Sequence, residues 1–364
     1  MFSHKLLPFM SLAHYKFMTF MTSTVNQDFK KRKLTKAKSN KSKPNNDSTS
    51  DVDASPKRVI LDCDVGTDDA VALFLLLSAE LKKLVKIEMI VCTRGNSSLR
   101  NVCRNTIRLL EVAKRTDIPV YKGSHEAFLP TSAPDEFYHG VDGFGDLKHQ
   151  HEPDLSLIRP EPALIAMRDL IVNNPKEITV IGIGPLTNIA LLMRYYGDVN
   201  QNIKDLYIMG GNHLGIGNVT HSAEFNFFTD PEAAQVVLYS AECPLNLLTW
   251  ETCLETKIPL KWRIDALGND GGETWKLIDR AERVVYKNMD QWLPCDAFLV
   301  AAMLYPDIVK NKMRRYLDVE LHGKLTRGQM VVDHLNKTPP NATIIQQIDS
   351  EMFKHLMCSV FMKF

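Results

Sequence analysis

The stretch Val59-Ile60-Leu61-Asp62-Cys63-Asp64-Val65-Gly66-Thr67-Asp68-Asp69-Ala70 passes from an apolar, β-branched run into four aspartates spread over eight residues. Such a run, followed by glycine and then by acids ahead of Val71-Ala72-Leu73, reads as a strand, a tight turn and the first turn of a helix. Anions gathered this closely are unfavourable unless a cation neutralises them. An all-oxygen ligand set favours a hard ion, Ca²⁺ or Mg²⁺, over zinc. Asp64 stands at the strand end, Gly66 permits the turn and Asp69 enters the helix, so Asp64 and Asp69 can face one ion. A second reading makes Asp68 or Asp69 a helix N-cap and the remaining acids surface groups.

Outward from this segment, short apolar runs alternate with helical periodicity. Strands are expected at 59–63, 87–93, 118–121, 178–183, 206–209 and 245–249, and helices at 69–80, 99–115, 161–174, 187–196, 231–241 and 273–290. The alternation implies βαβ units: an α/β fold with an open, mainly parallel sheet flanked by helices. Residues 317–321, 329–332 and 343–347 read as short antiparallel strands before a last helix at 349–360. In open α/β sheets ligand sites lie beyond the carboxyl ends of the strands, so chemistry is expected in the loops that follow them.

The chain has 364 residues, 45% hydrophobic and 24% charged, a globular composition able to bury a large core. No apolar run approaches the roughly 18 residues of a membrane-spanning helix. Residues 1–58 hold 12 Lys and Arg against 4 Asp, so a basic tail (+8) precedes an acidic body (−7). Residues 29–50 are rich in Lys, Ser and Asn and too poor in apolar side chains to offset the entropy of ordering, so residues 1–56 are expected to form a disordered tail ahead of a domain over 57–364. The first 21 residues lack acids, as mitochondrial presequences do, but also lack Arg. Lys30-Lys31-Arg32-Lys33 is a nuclear-import-like patch that is more often merely solvated. Seven cysteines, odd in number and without a CxxC pair, suggest neither a disulfide framework nor a zinc knuckle. Two N-x-S/T sequons, at Asn96 and Asn218, fall in loops expected to line the site, where a glycan would block it; the expected setting is therefore cytoplasmic.

Further blocks follow the strands: Thr93-Arg94-Gly95-Asn96, Gly184-Pro185-Leu186-Thr187-Asn188, the segment from Gly217-Asn218 through Glu224-Phe225-Asn226 to Asp230-Pro231-Glu232, and Pro294-Cys295-Asp296-Ala297. Each alone reads as a turn, a cap or a solvated loop. In this order and spacing, together with Asp62-Cys63-Asp64-Val65-Gly66-Thr67-Asp68-Asp69-Ala70, they resemble the inosine-uridine-type nucleoside hydrolase family over residues 57–361. The first block departs from the family signature at Val65, where Pro is more usual.

The resemblance implies a Ca²⁺ enzyme that cuts the N-glycosidic bond of ribonucleosides. It implies that Asp64, Asp69, Asp296 and the Thr187 carbonyl bind the ion, and that Asp64 is also the base for the attacking water. Asp68 and Asp296 would hold ribose hydroxyls, Asn96 would lie near the water and ribose, and Asn218, Glu224 and Asn226 would clasp the sugar. At position 295 familiar members carry the His that protonates the leaving base, whereas this chain has Cys295, as a Cys-containing subgroup does. A neutral thiol is a weak donor. The other candidate is His139, in Tyr138-His139-Gly140-Val141-Asp142-Gly143-Phe144-Gly145, a block resembling the family loop near the base, whose glycines suggest a mobile lid that excludes water. The expected partner is a ribonucleoside, with no nucleic-acid polymer and no membrane, in a homodimer or homotetramer as is common in the family. Two other readings stay open: a nucleoside-binding relative without activity, and a metal-dependent phosphatase suggested by Asp62-x-Asp64. Against the latter, Gly66 stands where aspartate-nucleophile phosphatases have Thr or Val, and no phosphate cradle adjoins the first loop.

Overall fold

The computed structural model describes residues 55–130, 137–149, 151–268 and 272–361. The tail expectation therefore lies outside the described residues, apart from Ser55 and Pro56. Seven runs form parallel strands: β1 (Lys57–Cys63), β2 (Val85–Cys92), β3 (Val120–Lys122), β4 (Ile158–Arg159), β5 (Ile178–Gly182), β6 (Asp205–Met209) and β7 (Leu245–Leu248). Their order is β4-β3-β2-β1-β5-β6-β7. The chain builds outward from β1 to one edge, then returns to the other side of β1 with β5. The order thus reverses between β1 and β5, where an open α/β sheet leaves a crevice for ligands.

After β7 the chain adds a two-stranded ladder, β8 (Ile258–Pro259) with β9 (Gln291–Trp292), then β10 (Val309–Arg315), β11 (Leu317–Val319), β12 (Met330–Val332) and β13 (Ala342–Ile348). β11 and β12 pair antiparallel, as expected. β13 joins the main sheet parallel to β7 and antiparallel to β10, which forms the edge. β10 escapes sequence reading because its residues, VKNKMRR, show no apolar alternation. Lysines along an exposed edge discourage pairing with another chain.

Two helices sit almost wholly inside the core on one face of the sheet. Thr67–Leu81 is buried from Thr67 to Ala79 except at Asp68, and Cys295–Leu304 is buried from Cys295 to Met303. A helix that is apolar all round has no amphipathic stripe, so periodicity gives no sign of the second one. The two pack against each other, and their first turns carry Asp68, Asp69 and Asp296. Helices Ala163–Val172, Thr187–Tyr195 and Pro231–Ser240 cover the other face over a second apolar cluster. Among the described residues no helix is long and apolar enough to cross a membrane.

Candidate active site

The acidic turn after β1 is held by its own carboxylates. Asp69, in the first helical turn, accepts the main-chain N–H of Gly66 at 2.8 Å and that of Asp64 at 3.2 Å. It is thus partly a capping residue, and the capping and ligand readings of this segment are compatible. Gly66 is needed for room rather than for a special turn conformation. Its φ is −97°, but a Cβ there would come within 2.8 Å of both Asn96 Nδ2 and the His139 ring.

Asp64 lies in a cradle of Gly95 and Gly184, where a Cβ on either would press on its carboxylate. Its Oδ2 accepts the Asn96 main-chain N–H at 2.7 Å, while Oδ1 is buried without a hydrogen-bond partner. The Asn96 side chain reaches on to Asp69 Oδ2 at 3.3 Å. Asp68, Asp69 and Asp296 each offer an oxygen, all within 4.8 Å of one another. That trio shares Asp69 and Asp296 with the expected set and has Asp68 where Asp64 was expected; Asp64 is bonded at Oδ2 by the Asn96 N–H and leaves Oδ1 unpartnered.

Burial raises Asp68 to about 7, and burial with Asp68 alongside raises Asp69 to about 7. Asp64 and Asp296 are pushed well above the usual carboxylate range by burial and by the neighbouring acids. Two helix N-termini point their partial positive charge at the cluster, but no Lys or Arg is among the residues lining the cavity beside it. The unpartnered Asp64 oxygen, the glycine cradle and the all-oxygen donor set fit a hard divalent cation. Thr187 begins its helix after β5 and uses its hydroxyl on Asp230 at 2.7 Å; Asp230 in turn caps helix Pro231–Ser240.

Asp62, one residue before the strand end, behaves differently. Burial raises it to about 8 against the lowering effect of nearby Asn188, its Oδ2 is buried without a hydrogen-bond partner, and it does not line the cavity. It is not a member of the close acidic trio.

His139 closes the site from above. Its Nδ1 accepts the Thr67 main-chain N–H at 3.2 Å, so Nε2 carries the proton, 3.5 Å from Asp68 Oδ1. Burial lowers its pKa to about 4, which keeps it neutral at pH 7. The glycines of its loop meet a backbone requirement: Gly140, Gly143 and Gly145 hold φ of 86°, 77° and 78°, the left-handed region. The loop is laced by main-chain N–H groups of Phe144 and Asp146 donating to Asp142, and of Val141 and Asp142 donating to Asp146. It is a preformed cap rather than a slack segment.

Asn218, Glu224 and Asn226, the residues expected to clasp a sugar, line one cavity. Glu224 accepts the N–H groups of Gly211, Asn226 and Phe227 and caps a short helix, while burial raises it to about 7. Asn226 is tied to the ends of β5 and β6 through the carbonyls of Ile183 and Met209. Exposed Asn218 accepts the Phe225 N–H at 2.8 Å.

These groups line a cavity of about 400 Å³. Asp68, Asn96, His139, Asn218, Glu224, Asn226 and Asp296 form its polar part, and Tyr138, Met209, Phe225, Trp250, Leu254, Met289 and Leu293 its apolar part. Cys295 is on the wall, its buried thiol against that of Cys253, which with burial pushes its pKa well up. Sequence reading missed the apolar wall. Trp250, which begins the helix after β7, and Met209, which ends β6, were within reach of the strand-end rule, but an aromatic or Met carries no chemical label.

The geometry has counterparts. Residues 59–355 match the family model described as inosine-uridine preferring nucleoside hydrolase. The pyrimidine-specific ribonucleoside hydrolase RihA of Enterobacter sp. (strain 638) is 32% identical over 320 residues, spanning 84% of this chain and 98% of its own. Among solved structures, an inosine-guanosine nucleoside hydrolase superposes with a TM-score of 0.77 at 25% identity, covering 84% of this chain and 98% of its own. The plant nucleoside hydrolase PpNRh1 shares the fold, with a TM-score of 0.76 at 23% identity over 85% of this chain and 100% of its own. The chain belongs to the inosine-uridine preferring nucleoside hydrolase family, a family of N-ribosyl hydrolases.

Proposed function

We propose that this chain hydrolyses the N-glycosidic bond of ribonucleosides to free base and ribose, with Ca²⁺ as its ion. One observation carries the reading: the cavity is amphipathic, with carboxylates and amides suited to the fixed hydroxyls of a ribose and an aromatic and aliphatic wall suited to a flat base. Asp64, Asp69, Asp296 and the Thr187 carbonyl would hold the ion, with Asp68 close enough to share it. When bound, the ion supplies neutralising charge and acidifies a water.

The side chains supply the rest. Asp64 accepts the proton of the water that approaches the anomeric carbon, and Asn96 fixes the Asp64 carboxylate through its main-chain N–H. Asp68 and Asp296 bind the ribose diol, and Asn218, Glu224 and Asn226 fix the rest of the sugar. The carboxylates stabilise the positive charge that develops on the sugar as the base departs. His139 holds Asp68 and shuts out water above it, and thereby assists departure.

The phosphatase reading loses ground because Asp62, which would be its nucleophile, is buried and does not line the cavity. The retained acids and amides disfavour an inactive binding relative. Incubating the protein with Ca²⁺ and inosine, uridine, cytidine and their 2′-deoxy and 5′-phosphate forms separates the readings. Free base and ribose should appear from the ribonucleosides, and 2′-deoxynucleosides should react poorly. Release of phosphate alone, or binding without turnover, would defeat the proposal.

Asn96 and Asn218 both line the cavity, so a glycan at either would obstruct it; with seven free cysteines this supports a cytoplasmic setting. A homodimer or homotetramer completes the proposal. Removing residues 1–56 should leave specific activity unchanged, since that segment lacks apolar content to pack on the domain. A large loss in a folded truncation would contradict this.

The raised carboxyl pKa values set a pH dependence for the ion-free protein. Asp68 and Asp69 titrate near 7 when folded but near 3.8 in an unexposed-to-neighbours, ordinary state, so the folded chain binds protons that the unfolded chain has released. Stability must then fall as pH rises from 3.8 to about 7. His139, lowered from 6.5 to about 4, opposes this below 6.5, so the decline should be clearest above it. Thermal melts of chelator-treated protein should show Tm falling between about pH 6.5 and about pH 8, and Ca²⁺ should flatten the slope. A Tm that rises over that interval without ion would refute the assignment.

A further inference from the structure

A second cavity, of about 350 Å³, lies between helices Leu99–Val112 and Glu273–Val285 and shares no lining residue with the first. Arg108, Lys148, His149, His151, Lys276 and Arg280 surround it. Arg108 forms its buried side, being 7% exposed. Its guanidinium donates to Asn105 Oδ1 at 3.2 Å and makes no ion pair with a carboxylate among the described residues. Burial lowers its pKa, with Glu152 the largest opposing charge. A buried cation without a carboxylate in contact is costly to maintain.

The acids nearby are otherwise engaged. Glu152 pairs with Arg104, and Glu273 pairs with Lys276 at 2.7 Å. Asp142 accepts main-chain N–H groups of the His139 loop, and Glu111 accepts that of Asp154 at 2.8 Å while standing 4.0 Å from His151. Beside Arg108, the Nε2 atom of His149 is buried and has no hydrogen-bond partner. Positive charge therefore converges on a recess holding a guanidinium bonded only to a neutral amide and an imidazole nitrogen without a partner.

We propose that this recess binds a phosphate-bearing small molecule. A phosphate dianion offers the several oxygens that a guanidinium fork and an imidazole N–H engage together, and the cavity leaves room for an attached sugar. Arg280, Lys276, Lys148 and His151 at the exposed rim would supply the long-range attraction.

Calorimetric titration of the full-length protein with inorganic phosphate, ribose 5-phosphate and adenosine 5′-monophosphate, at ionic strength balanced with chloride, tests it. At least one should bind. Inorganic phosphate binding as well as the organic esters identifies a free-phosphate site, and preference for an ester identifies a sugar-phosphate site. Arg280→Glu, an exposed change, and Arg108→Gln should each weaken binding by about tenfold or more, with nucleoside turnover unchanged in Arg280→Glu. No heat of binding from any of the three at millimolar concentration, or undiminished affinity in Arg280→Glu and in folded Arg108→Gln, would overturn the proposal and leave a solvated basic face.

Discussion

Asp64→Asn should lower turnover by at least the 10² to 10⁴-fold, in order of magnitude, that a positioned general base contributes, while the protein keeps its native circular dichroism. The amide is nearly isosteric and still offers an oxygen to the Asn96 N–H, so the cradle of Gly95 and Gly184 is not overfilled. It cannot accept the water's proton, and it removes one anionic ligand. Asp296→Ala should go further in binding, because it withdraws a member of the close acidic trio from the start of its helix and a hydrogen-bond acceptor for the ribose. Calcium affinity by titration and steady-state kinetics on inosine and uridine measure both effects. Near-wild-type turnover in either variant would mean that the acidic cluster is not the reaction centre.

The second large effect concerns the two candidates for assisting the leaving base. His139→Ala should be more damaging than Cys295→Ser on at least one of inosine and uridine. The Cys295 thiol is neutral, with its pKa pushed up by its contact with Cys253 and by burial, so it is a weak acid at pH 7 and serine restores most of its volume. His139 is also neutral at pH 7, but it touches Thr67 and Asp68 together. Its loss frees the Asp68 carboxylate and opens the cavity to water above the sugar. Parallel kinetics on both variants, with calcium affinity as a control, decide the matter. A greater loss in Cys295→Ser on both substrates would make the thiol the proton donor.

How far the site could be read from sequence follows from what kind of signal each residue leaves. Asp64, Asp68 and Asp69 stand out as candidates because four carboxylates crowded at a strand end exceed what a helix cap requires, even though Asp69 does cap its helix. Asn96, Glu224 and Asp296 are individually ordinary and became candidates only through order and spacing. The strands β1 and β5 carry short, fully buried, mostly apolar runs, the plainest pattern a parallel sheet leaves, and β2, β6 and β7 depart from it by one or two polar residues each. β10 and helix Cys295–Leu304 fail for opposite reasons, one too polar and the other too uniformly apolar to show a period. Gly66 was credited with a turn when its task is to leave space for His139, which also bonds Thr67, 72 residues away in sequence, a proximity that no local rule reaches. The placement of Asp68 in the close trio depends likewise on where two distant helices cross.

That crossing has a consequence for the order in which the protein comes into being. The residues of the acidic turn leave the ribosome with the first strand, but Asp296 is made only after β1 through β9. β13, which lies between β7 and the edge strand, follows later still. A growing chain can fold its early βα units as they emerge, yet it carries an incomplete set of carboxylates until nearly the whole domain has been synthesised. Chains that stop before residue 296 therefore hold the repulsion of the first loop without the third carboxylate of the close trio. The close acidic trio is thus split between the first helix of the domain and one made more than two hundred residues later.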